Sequence, residues 1–120
     1  MAEGSSEKEN KMNLRILTLM QFARKAGKLV SGYSACERAM HKKEIELLIL
    51  AADSSERTRD KMKKLALSAG ISGAVIETGS QQEISSALGL SVTGVFGIID
   101  KNFARKIMEY WLSETERRIN

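Results

Sequence analysis

Proline is absent from the 120 residues, and cysteine, histidine and tryptophan each occur once. A single thiol, Cys36, excludes an internal disulfide framework and any cysteine-based zinc cluster, which fits a reducing compartment. His41 stands alone beside Lys42 and Lys43, so no metal site is expected, and no cofactor motif is complete. No apolar run approaches membrane-spanning length, and the opening MAEGSSEKENK lacks the apolar centre of a signal peptide. These absences point to a cytoplasmic protein with no membrane partner. What is present, 42% hydrophobic residues, suits one compact domain large enough to bury a core.

The formal net charge is +4, and its distribution says more than its size. Residues 20–64 carry eleven basic and six acidic side chains, whereas the flanks are balanced or slightly acidic. A basic excess confined to the middle suggests a polyanionic partner, either nucleic acid or an acidic surface. Solvated lysines that keep a small protein in solution are the plainer alternative.

In chain order, residues 1–11 read as a flexible polar tail, 12–113 as the single domain, and 114–120 as a polar C-terminal tail. From Asn13 to Ala26 the apolar stripe Ile16, Leu19, Met20 and Ala23 predicts a helix, with Gly27 at its C-terminal cap and Arg24, Lys25 and Lys28 clustered there. Glu46–Ala52 reads as a strand buried on both faces. Asp53, with Glu56 three residues on, is expected to cap a helix whose inner stripe is Thr58, Met62, Leu65 and Ala69; Arg57, Lys61 and Lys64 share its outer face and Gly70 closes it. A short strand over Ala74–Glu77, a helix over Gln81–Leu88, a loop from Gly89 to Gly94, a strand over Val95–Ile99 and a last helix capped by Asn102 complete the pattern. Strands alternating with helices predict an α/β fold, a layered domain with helices on both faces of a small sheet.

The most informative stretch is GKLVSGYSACERAMHKK, Gly27–Lys43. Two glycines frame a short β-favouring segment, and Gly32 opens a helix with Cys36, Ala39 and Met40 on one face and Ser34, Arg38 and Lys42 on the other. The first N–H groups of a helix are unpaired and sit at its positive dipole end, so Gly32, Tyr33 and Ser34 offer donors to an anion while Arg38 adds charge a turn later.

The runs GKLVSGYSACERA, LLILAADSSERTRDKMKKLA, EISSALG and VFGIID resemble the kink-turn RNA-binding ribosomal protein superfamily over about residues 13–112, most closely its small bacterial YlxQ-like branch. That likeness implies a three-layer α/β/α sandwich around a mixed four-stranded sheet. It also implies RNA binding through a Gly-x-Asn-Glu-x-x-Lys type motif and an apolar loop after the fourth helix. Carried onto this chain, the glycine is Gly32, the basic position is Arg38, and the loop is Gly89, Leu90, Ser91 and Val92. Ser34 and Ala35 replace the usual polar pair; serine still bonds a base or phosphate, but alanine cannot accept from a guanine edge.

The resulting expectation is a noncatalytic, monomeric RNA-binding protein whose contacts are Lys28, Gly32, Tyr33, Ser34, Arg38, Gly89, Leu90, Ser91 and Val92. Its partner would be structured RNA, either ribosomal RNA or another RNA containing a kink-turn, and the ribosome is a candidate location. An adaptor that binds protein through the same patch is one alternative. A nucleotide-binding enzyme is another: Gly27 and Gly32 have phosphate-loop spacing, but Tyr33 stands where lysine is required and a helix precedes Gly27. Cys36 reads as a small buried hydrophobe, and Asp53 and Asp100 as helix initiators.

Overall fold

Asn13 starts the first helix, α1 (Leu14–Lys25), by accepting the Arg15 N–H on its side-chain oxygen at 2.8 Å. Gly27 ends it in the left-handed region, at φ 72°. Gly27 N–H donates to Arg24 O and Lys28 N–H to Ala23 O, the paired bonds of a Schellman turn. There follow β1 (Leu29–Ser31), α2 (Tyr33–His41), β2 (Leu47–Leu50), α3 (Glu56–Ser68), β3 (Val75–Glu77), α4 (Gln81–Leu88), β4 (Val95–Ile98) and α5 (Lys101–Ile119). This computed structural model describes residues 12–119, so the tail expected at residues 1–11 lies outside the described residues. The polar segment expected from residue 114 is helical as far as Ile119.

The strands lie in the order β1-β4-β2-β3, with β4 antiparallel to both neighbours and β2 parallel to β3. Both central strands are buried at every position, as the continuous apolar runs predict. Side chains alternate between faces: Leu47 and Ile49 join one core with α1, α4 and α5, while Leu48 and Leu50 join another with α2 and α3. The three-layer α/β/α sandwich with a mixed four-stranded sheet is therefore borne out. Gly97, at the centre of β4, lets the α2 layer lie close, since a Cβ there would collide with Ile45 and reach 3.1 Å from Val30.

One helix start differs from expectation and another decides between two readings. Ser55, not Asp53, caps α3, accepting the Thr58 N–H at 3.1 Å; Asp53 instead accepts the Gln81 N–H at 2.9 Å and ties the β2–α3 turn to α4. At α5, where both Asp100 and Asn102 are candidates, Asp100 starts the helix as its reading as an initiator expects, its carboxylate accepting the Phe103 N–H at 3.0 Å. In both places two capping-competent residues lie two apart, and at α3 the contact of Asp53 with Gln81 leaves the cap to Ser55. The fully buried α3 residues are Met62 and Ala66, while Thr58 is only half-buried.

Because β1, β2 and β3 run the same way, α2, α3 and α4 all begin at one end of the sheet, where β4 also starts. Ligands of open α/β sheets bind beyond the carboxyl ends of strands for this reason, since loops and helix N-termini converge there.

Candidate nucleic-acid interface

Gly32 occupies φ 95°, ψ 152°, a backbone region that glycine adopts without strain and other residues do not. An added Cβ would meet nothing within 4 Å, so the demand is conformational and leaves the surface above the residue open. Its N–H donates to Val95 O at 2.9 Å, continuing the β1–β4 pairing by one bond, and its carbonyl accepts from Cys36 N–H. No side chain caps α2. The other four helices among the described residues each have one: Asn13, Ser55, Ser80 and Asp100. The opening amides of α2 are thus left available beside a positive dipole end.

On α2 the predicted division of faces holds. Cys36, Ala39 and Met40 are buried, and Ser34, Arg38 and Lys42 are exposed. Tyr33 is half-buried against the α2–α3 core. Arg38 makes no ion pair among the described residues. It lies one turn past Ser34, a rise of about 6 Å along the helix. Burial pushes the Cys36 thiol up to about 12, and its Sγ rests 3.8 Å from Val30 O, so it packs as a hydrophobe and is no nucleophile.

The loop after α4 leads into β4 at this same end of the sheet. Gly89, at φ 69°, ends α4, and Leu90 N–H returns to Ser85 O at 2.9 Å. Leu90 is half-buried against the core of α1, α4 and α5, so the exposed apolar tip is Val92, 59% accessible, next to exposed Ser91. Buried Ser85 pins the loop, its Oγ donating to Thr93 O at 3.2 Å and accepting Thr93 N–H at 3.0 Å. Gly94 is wedged against Ser54, whose Cβ would lie 2.7 Å from a Cβ added there. Ala51 N–H donates to Gly94 O at 2.9 Å.

One edge therefore gathers Gly32, Tyr33, Ser34 and the loop Gly89, Leu90, Ser91, Val92, with Arg38 just down the helix. Lys28 is not drawn to it: its carbonyl accepts from Ile99 N–H at the opposite end of β1, roughly four strand residues or 13 Å from Gly32. The β2–α3 turn, Asp53 and Ser54, also borders the edge and was missed as part of it. A small polar run straight after an apolar strand was the available signal.

The charge on α3 divides into two groups. Arg59 and Lys63 are held by Glu77 of β3, with Arg59 3.0 Å away, and the hydrogen bond from Lys63 and then that from Arg59 keep the Glu77 carboxyl below its ordinary range. Arg57, Lys61 and Lys64 remain exposed to solvent.

The model of the ribosomal protein L7Ae/L30e/S12e/Gadd45 family matches residues 15–108. The RNA-binding protein YlxQ of Enterococcus faecium is 30% identical over 109 residues, which cover 91% of this chain and 96% of that protein. Among solved structures, a protein of unknown function from Bacillus halodurans aligns with a TM-score of 0.75 at 27% identity, covering 81% of this chain and 96% of the other.

Proposed function

Because the chain belongs to the ribosomal protein L7Ae/L30e/S12e/Gadd45 family, we propose that it is a noncatalytic cytoplasmic RNA-binding protein, a monomer that recognises kink-turn-like RNA of ribosomal or ribosome-associated origin. The relative YlxQ carries RNA binding in its name. The observation that carries the reading is the bond from Gly32 N–H to Val95 O, which supports a shared surface for the α2 opening turn, uncapped among the described residues, and the loop bearing Val92.

Recognition follows from the shape of RNA. A-form helices hide their base edges in a deep, narrow groove, so a helix N-terminus enters only where a sharp bend or non-Watson–Crick pairs open it. There the amides of Tyr33 and Ser34 meet a phosphate or base edge, and the Ser34 hydroxyl adds a donor and acceptor. Arg38 reaches guanine O6 and N7 or a phosphate. Val92, with Leu90 as its footing and Gly89 and Ser91 shaping the turn, packs on an unstacked nucleotide. Ala35 offers no acceptor to a guanine, so shape and backbone supply most of the discrimination. Lys28 contributes charge from further away.

Filter binding of a kink-turn hairpin and a continuous duplex of equal length tests this. The hairpin should bind more tightly, with log affinity falling by about one unit per log unit of salt for each contacted phosphate. Equal binding of the two RNAs, or an Arg38→Glu variant that folds and binds the hairpin unchanged, would overturn it.

A further inference from the structure

Two exposed cations and an exposed aromatic ring at the end of α1 have no place in the site described so far. Phe22 is 54% accessible, whereas Phe96 is fully buried and Phe103 packs half-buried against the core. It borders a cleft of about 290 Å³ between α1 and α4, lined by Gln21, Phe22, Arg24, Lys25, Ala87 and Leu88. Gln21 Nε2 donates to Ala87 O at 3.0 Å across the cleft, leaving the amide oxygen of Gln21 as an acceptor. Arg24 and Lys25 are exposed and make no ion pair among the described residues, and no carboxylate lines the cleft. The helix dipole accounts for cations in a last turn. It does not account for a bulky ring left in water beside them.

A solvent-facing ring flanked by exposed cations is the composition of a platform for single-stranded nucleic acid: the ring stacks on a base of any identity and the cations neutralise its phosphates. The cleft is also continuous with the proposed RNA edge, because its Ala87–Leu88 wall runs directly into Gly89–Val92. We propose that an RNA strand leaving the α2–loop site crosses Gly89 into this cleft, where a nucleobase stacks on Phe22 and its phosphates lie against Arg24 and Lys25. This rests on the RNA reading above and adds one feature to the partner, a single-stranded flank beside the bend.

The test titrates the full chain with a blunt kink-turn hairpin and with the same hairpin extended, on either strand in turn, by about six uridines. One extension should tighten binding by the wild type about tenfold. Phe22→Ala and the pair Arg24→Glu, Lys25→Glu should erase that gain and bind the blunt hairpin as the wild type does, while Phe22→Tyr keeps the gain. A wild type that binds blunt and extended RNAs equally, or a Phe22→Ala variant that retains the gain, overturns the cleft proposal and leaves the α2–loop reading standing. Binding of neither RNA by the wild type overturns both.

Discussion

The first turn of α2 and the first turns of α1, α3, α4 and α5 face the same physical problem with opposite outcomes. Every helix begins with N–H groups that lack intrahelical acceptors. In four helices a side chain answers: Asn13 to Arg15, Ser55 to Thr58, Ser80 to Glu83 and Asp100 to Phe103, at 2.8 to 3.1 Å. In α2 the cap position is Gly32, held in a glycine-only conformation, and no side chain answers. Four of the described helices are stabilised by a cap, and the one proposed to meet RNA leaves its donors open. A cap is worth about 1 kcal/mol. With glycine at the cap position α2 forgoes only about a few tenths of that, and its open turn lies at the end of the sheet where the loop carrying Val92 leads into β4.

Substitutions can break this contrast from either side. The largest effect belongs to Arg38, which has no ion pair to lose among the described residues: Arg38→Glu should weaken kink-turn RNA about a hundredfold by filter binding, within the range set by losing a bidentate guanine contact and adding a repulsive charge. Its thermal midpoint should stay where it is. Ser34→Asp sharpens the contrast, because a carboxylate in the opening turn suits the dipole and opposes a phosphate. Stability should rise by about 0.5 kcal/mol in urea unfolding while RNA affinity falls severalfold. Removing a cap elsewhere should act in the reverse sense: Ser80→Ala is expected to cost about 1 kcal/mol of stability with RNA affinity unchanged.

The smallest effect concerns the charge on α3. Lys63 and Arg59 depress the Glu77 carboxyl, so the folded state holds that proton less tightly than the unfolded state. The associated stability is fully present above the ordinary value of 4.5 and is lost as pH falls through the lower folded value. The partners are partly exposed, so the screened gain is below about 1 kcal/mol. Glu77→Gln should flatten that part of a stability profile at acid pH and leave RNA binding untouched.

How much of this was legible beforehand divides along the same line. The amphipathic face of α2, the buried strand of β2 and the glycines that close α1 and α3 follow from spacing and conformational preference, which are local. The three-layer arrangement follows from element order, since continuous apolar strands need helices on both faces. The meeting of Gly32 with Val95 was not readable from spacing, because it depends on β4 inserting between β1 and β2, a pairing between residues far apart in the chain. The same gap explains Lys28. Its closeness to Gly32 in sequence suggested a shared site, but an extended strand separates neighbours faster than a helix does. Asp53 shows the converse: it has the chemistry of a cap, and its carboxylate is drawn across to Gln81 by a contact that no local pattern announces. Phe22 does not stand out by pattern, because a helical stripe says which residues can be buried, not which bulky one is left outside.

Amide chemical shifts of the isotope-labelled full chain, followed while a kink-turn hairpin is added, put the contrast between open and capped helix starts to the most direct test. The amides of Tyr33, Ser34 and Ala35 should move together with those of Gly89 to Val92 along one saturation curve, while the capped amides of Arg15, Thr58, Glu83 and Phe103 stay still. Shifts centred on Thr58 and Glu83 with none at Ser34, or separate saturation of Ser34 and Val92, would contradict a single RNA surface built on the uncapped turn.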